Sequence, residues 1–155
     1  MRLQATAIVL VVLAGCSKPL PPRWGSLTAT PPASACERKL LSTVDVAGTG
    51  ILANPITVTP APGDPQSCVF TAGDETVTVS LRPGVGDDTV SRSVLSDGAD
   101  PVQNPMAKVA WKSRPPELLA SSHNVLCDAK ASAGNTSATQ VALLILCQHI
   151  YLALD

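Results

Sequence analysis

The stretch Ser67-Cys68-Val69-Phe70-Thr71-Ala72, then Gly73-Asp74, then Glu75-Thr76-Val77-Thr78-Val79-Ser80-Leu81-Arg82 alternates apolar and polar residues on both sides of a two-residue turn. Successive side chains of a strand point to opposite faces, so the pattern predicts a β-hairpin with one buried side. With Gly73-Asp74 as the turn, Phe70 faces Val77 and Cys68 faces Val79, which places Cys68, Phe70, Val77, Val79 and Leu81 together. Val69, Thr71, Thr76, Thr78 and Ser80 take the other side. The apolar side of such a hairpin must be covered by another element.

Upstream, Ser34-Ala35-Cys36-Glu37 reads as a capping box, in which the Ser34 hydroxyl accepts the Glu37 amide and the Glu37 carboxylate accepts the Ser34 amide. It predicts a helix from there to about Ala47, ended by Gly48, with Cys36, Leu40, Val44 and Ala47 along one face. That helix is expected to lie on the hairpin, and the two periods then bring Cys36 to Cys68.

Between helix and hairpin, Ile56–Thr59 reads as a short extended piece followed by the turn Pro60–Pro65. Asp87-Asp88 read as the N-cap of a helix through Leu95, where negative charge suits the helix macrodipole. Asp97–Pro101 reads as a turn, Lys108–Lys112 around Trp111 as a strand, and Pro115-Pro116-Glu117 as one helical turn. At the end of the chain, His123–Ala131 and Val141–Ala153 read as a second long hairpin across the Gly134-Asn135 turn region. Because Val141–Leu146 is apolar throughout, that run fits either a strand buried on both faces or part of a helix; the strand is the favoured reading.

Cys36, Cys68, Cys127 and Cys147 form an even set that allows three pairings. The hairpin arguments favour Cys36–Cys68 and Cys127–Cys147. The alternative is a Cys2His2 metal site, since His123 stands four residues before Cys127 and His149 two after Cys147, but those spacings match no established finger. Disulfides are therefore expected, with no metal and no cofactor.

Composition narrows the function classes. The chain has 11 Lys+Arg against 12 Asp+Glu and no basic cluster, so nucleic acid is not an expected partner. Trp24, Phe70, Trp111 and Tyr151 are its only aromatic residues besides histidine, too few for a stacking platform. No G-x-S-x-G, H-E-x-x-H or phosphate-binding glycine loop occurs, and only His123, His149 and Asp128 offer the parts of a catalytic site. An enzyme is not the expected reading.

The N-terminus carries an address. Met1-Arg2 precede the apolar run Ala5–Leu13, which ends in Leu13-Ala14-Gly15-Cys16. A charged start, a short apolar core and small residues before the cut are the parts of a secretory signal, and the run is well short of the ~20 residues a membrane span needs. Leu13-Ala14-Gly15-Cys16 resembles the lipobox of the bacterial lipoproteins. The resemblance implies that residues 1–15 are removed and that Cys16 is acylated, which anchors the chain to a membrane. Ser17 after the cysteine implies outer-membrane sorting in a host with two membranes. The Pro-rich segment 16–34 reads as an extended tether of up to ~3.1 Å per residue, and 35–155 as one globular domain.

The expected architecture is α+β: an N-terminal helix packed on a curved antiparallel sheet, with two disulfides. With the tether, the lipobox and the C-x-F…V-x-V-x-L hairpin around Cys68, it resembles the small cystatin-like lipoproteins of actinobacteria. The expected function is that of a non-catalytic cell-envelope lipoprotein, facing away from the cytoplasm, that binds an envelope protein or cell-wall component. Two alternatives accompany it: a carrier or sensor of a small apolar ligand, suggested by the aliphatic tail Val141–Leu154, and an inhibitor or immunity protein against a cell-wall-active enzyme.

Overall fold

The computed structural model describes residues 22–28, 32–134 and 136–155; the lipobox, Cys16 and Asn135 lie outside them. Seven strands form one antiparallel sheet in the order β1-β2-β3-β7-β6-β5-β4. They are β1 (Thr57–Ala61), β2 (Asp64–Ala72), β3 (Glu75–Pro83), β4 (Asp100–Val102), β5 (Lys108–Ser113), β6 (Pro116–Ser122) and β7 (Val125–Ala131). The helices are α1 (Pro22–Gly25), α2 (Thr43–Thr49), α3 (Gly86–Ser96) and α4 (Ser137–Leu154). β1–β3 and β4–β7 are two successive meanders, joined where β3 pairs with β7.

The hairpin has the register read from its sequence, with Phe70 opposite Val77 and Cys68 opposite Val79. Both favoured disulfides, Cys36–Cys68 and Cys127–Cys147, are formed. The cover is different. Ser34 and Glu37 exchange the hydrogen bonds of a capping box, but the turn they start ends at Lys39, whose φ is 57°. A second capping box, Ser42 with Asp45, then begins α2. Two short pieces replace the expected helix, and Val44, assigned to its buried face, is 77 % exposed.

The sheet is covered instead by α4, which corrects the strand reading of Val141–Leu154. Leu143, Leu146, Cys147, Ile150, Tyr151 and Leu154 recur at helical spacing, and all are buried against β6 and β7. Val141, Ile145 and Leu152 point outward, and these exposed apolar residues hid the period. α4 is long and apolar enough to cross a membrane, yet its inner face belongs to the core and Cys147 ties it to β7. The Tyr151 hydroxyl lies 2.8 and 2.9 Å from the carbonyls of Ala120 and Val125, which share its one proton, and accepts from the Cys127 amide at 3.2 Å.

Within the segment read as an extended tether, residues 22–28 are helical and packed on the body; residues 16–21 and 29–31 lie outside the described residues. Trp24 and Leu27 are 2 % and 4 % exposed and belong to the main core. Trp24 stacks on Tyr151 with ring centroids 5.4 Å apart, and its indole N–H donates to Asp155 at 2.8 Å. A single tryptophan among prolines shows no period, which is why the segment reads as spacer. Two further differences concern strands: Pro116 opens β6 rather than a helical turn, and β6, not α4, is the hairpin partner of β7 across His123-Asn124. Asp100-Pro101, read as a turn, opens the edge strand β4.

α3 lies on the face of the sheet opposite α4. Val90 and Val94 pack there on Ala110, Leu119 and Leu126 in a smaller second core. Its start is fixed against the β6–β7 turn, where the amides of Gly84 and Gly86 donate to the Asn124 carbonyl and that of Asp87 to the Asn124 side chain. A Cβ on Gly86 would stand 2.8 Å from the Val125 carbonyl carbon and 2.9 Å from the Leu126 nitrogen, so only glycine fits. Asp87 and Asp88 fall in the first turn and suit the macrodipole, but the N-cap is Val85; the Asp87 carboxylate is held by Ser121 at 2.6 Å and Lys108 at 2.8 Å.

Candidate functional site

The strands beneath α3 alternate, so each residue between two core residues faces α3. On β7 these are Leu126, Asp128 and Lys130; across the ladder Asp128 stands opposite Ser80 of β3 and Leu119 of β6. The apolar side of α3 covers Leu119 and Leu126. Its polar side, with Thr89, Arg92 and Ser93, leaves a cleft of about 430 Å³ over Arg82 and Asp128, with Lys112 and Glu117 at its wall. Small-molecule sites commonly have volumes of a few hundred cubic ångströms.

Charges around this cleft are mostly matched. Lys130 Nζ lies 2.9 Å from Asp128 Oδ2 and 3.0 Å from Glu117 Oε1, and Lys112 Nζ lies 3.3 Å from Glu117 Oε2. Arg82 donates to Asp64 Oδ2 at 3.0 Å; Asp64 in turn accepts from Ser67, which is hydrogen-bonded to Ser80. Two buried atoms stand outside the network. Asp128 Oδ1 and Ser93 Oγ have no hydrogen-bond partner among the described residues, although Asp128 is 6 % and Ser93 1 % exposed. An unpaired buried polar group costs about 1–3 kcal/mol, so two around one cleft are a concentrated demand for a partner.

The same burial shifts the proton affinities. Burial raises the Asp128 carboxyl above its ordinary range, and the hydrogen bond and charge of Lys130 oppose this without cancelling it. Glu117 is also pushed up by burial, but Lys130 and Lys112 more than offset that and hold it below the usual range. Burial disfavours charge on Lys130, yet Asp128 and Glu117 keep its pKa raised. Of the two carboxyls, Asp128 is therefore the one its surroundings most favour protonating, and the one that keeps a buried oxygen without a partner.

The other residues singled out from sequence are not brought together. His123 lies tilted against Trp24 with ring centroids 4.5 Å apart, His149 lies 3.4 Å from Asp45 of α2, and Asp128 is on the α3 face. Both cysteines of the alternative Cys2His2 set, Cys127 and Cys147, are joined in a disulfide, and no cluster of three metal-ligating side chains occurs among the described residues. Ser93 and Arg92 carried no sequence signal. Their roles arise from α3 crossing the sheet, which no spacing encodes. No protein-family model, no characterised protein and no solved structure matches the chain.

Proposed function

We propose that the chain is a lipid-anchored, non-catalytic binding module of the bacterial cell envelope, and that it takes its ligand in the cleft beneath α3. The anchor rests on the lipobox ending at Cys16. Two disulfides accord with an oxidising compartment. The binding role is carried by one observation: Asp128 Oδ1 and Ser93 Oγ, both buried and both without partners, border the same cleft. His123, His149 and Asp128 stand in separate surroundings, so the reading needs no chemical step.

The test uses the full chain made in its own host. Intact mass is expected to show Cys16 acylated and residues 1–15 removed. Fractions of envelope extract are then screened by thermal unfolding, because a ligand that binds only the folded state raises the midpoint. At least one fraction is expected to stabilise the wild type and not the double variant Ser93→Ala, Asp128→Asn. An unmodified Cys16 overturns the anchor, and equal stabilisation of both proteins, or of neither, overturns the binding site.

One observation favours a second reading, a carrier of small apolar ligands. Val94 and Leu95 of α3, with Pro101, Val102 and Val109, border an open apolar groove of about 400 Å³ next to the edge strand β4. The aliphatic tail that first suggested a carrier is largely committed to the core through α4, so this groove is its remaining support. Mass spectrometry of solvent extracts from gently purified protein is expected to recover a lipid-like molecule only if the carrier reading holds.

A further inference from the structure

The proposed binding role leaves the ligand's chemistry open, and the unmatched groups of the cleft define it. Resting on that role, we propose that the cleft takes a small zwitterion, such as an amino acid or short peptide with both ends free, its ammonium on Asp128 and its carboxylate on Arg92.

The argument is one of complementarity. Of the cations at the cleft, Arg82 is held by Asp64 and Lys112 by Glu117. Lys130, half-exposed and outside the cleft lining, is shared by Asp128 and Glu117. Arg92, exposed on α3, has no ion-pair partner among these residues. Its guanidinium offers a planar fork of donors suited to a carboxylate.

On the acidic side, both Glu117 oxygens are engaged and the half-exposed Asp97 stands 4.0 Å from Lys112, whereas the buried Asp128 uses Oδ2 for Lys130 and leaves Oδ1 free. A buried carboxylate oxygen needs a donor, and a cationic donor answers its charge as well. Ser93 follows Arg92 on the same helix and supplies a hydroxyl that can donate to the carboxylate or accept from the ammonium. A purely anionic ligand leaves Asp128 Oδ1 facing negative charge, a purely cationic one faces Arg92, and a hydrocarbon leaves both buried atoms unmet.

The full chain in detergent is titrated calorimetrically with alanyl-alanine, its N-acetyl form and its C-terminal amide. The free dipeptide is expected to bind, and each blocked form to bind at least tenfold more weakly. Arg92→Gln, a change at an exposed position, is expected to abolish the preference for the free carboxylate, and Asp128→Asn the preference for the free amine. Equal binding of free and blocked dipeptides overturns the proposal. So does no binding of any dipeptide up to 10-fold above the concentration at which an active extract fraction saturates; in that case the fraction's stabilising effect still upholds the binding role.

Discussion

Replacing Trp24 with alanine separates two descriptions of the N-terminal segment. If residues 22–28 are a spacer, Trp24 contributes almost nothing to folding. In the structure it is 2 % exposed, stacks on Tyr151, lies against His123 and donates to Asp155. Truncating a buried tryptophan to alanine costs about 3–5 kcal/mol, from lost transfer energy and the cavity left behind. Against a total stability on the order of 5–15 kcal/mol, that is a large share. With a urea m-value of about 2 kcal/mol/M, the unfolding midpoint is expected to fall by roughly 2 M. Far-UV circular dichroism is the suitable probe, since it does not depend on the tryptophan removed. A midpoint lowered by less than about 0.3 M, well under one such interaction, refutes the packing of this segment. The result also bears on the proposed anchor: with Pro22 on the body, only six residues, at most about 20 Å of chain, separate it from Cys16.

Tyr151→Phe removes one hydroxyl bonded to Ala120, Val125 and Cys127, and is expected to destabilise by about 1–3 kcal/mol in urea unfolding. Gly86→Ala forces a Cβ against the backbone of Val125 and Leu126 and is expected to cost about 1–3 kcal/mol, with loss of amide-exchange protection concentrated in α3. Asp128→Asn is expected to gain stability relative to the wild type as pH rises. Between the ordinary carboxyl range and its raised native value, native Asp128 keeps a proton that the unfolded chain has released, so raising pH through that window withdraws stability from the wild type alone. Unfolding at pH 4 and pH 7 checks it, and a difference between the two proteins that is unchanged or reversed contradicts the buried-carboxyl account.

How much of this could be read from the chain depends on where each signal resides. The β2–β3 hairpin was fully legible because its period of two is unbroken and its turn short, so register and Cys68's side followed together. The Cys127–Cys147 pairing was reached through a wrong premise: β7 meets α4, not a second strand, and sequence proximity alone carried the inference. The helix at Ser34 failed because Ser42-x-x-Asp45 is a second start signal within the window assigned to a single helix. β6 failed because Leu118-Leu119-Ala120 serves two cores at once and so shows no alternation.

The cleft lies beyond such local signals for a related reason. In the sequence Asp128 stands out only beside two histidines, which the fold places elsewhere. What isolates it is the alternation Leu126, Asp128, Lys130 on a central strand, combined with a helix laid across that face. Central strands covered on both sides ordinarily exclude charge, so a carboxylate there, once α3 is assigned to that face, is the feature that supports the proposed site. The anchoring of Gly86 and Asp87 to the β6–β7 turn fixes where α3 crosses, and therefore where Ser93 and Arg92 stand over Asp128. The glycine that admits the close approach thus sets the position of the helix whose Arg92 and Ser93 line the cleft with Asp128.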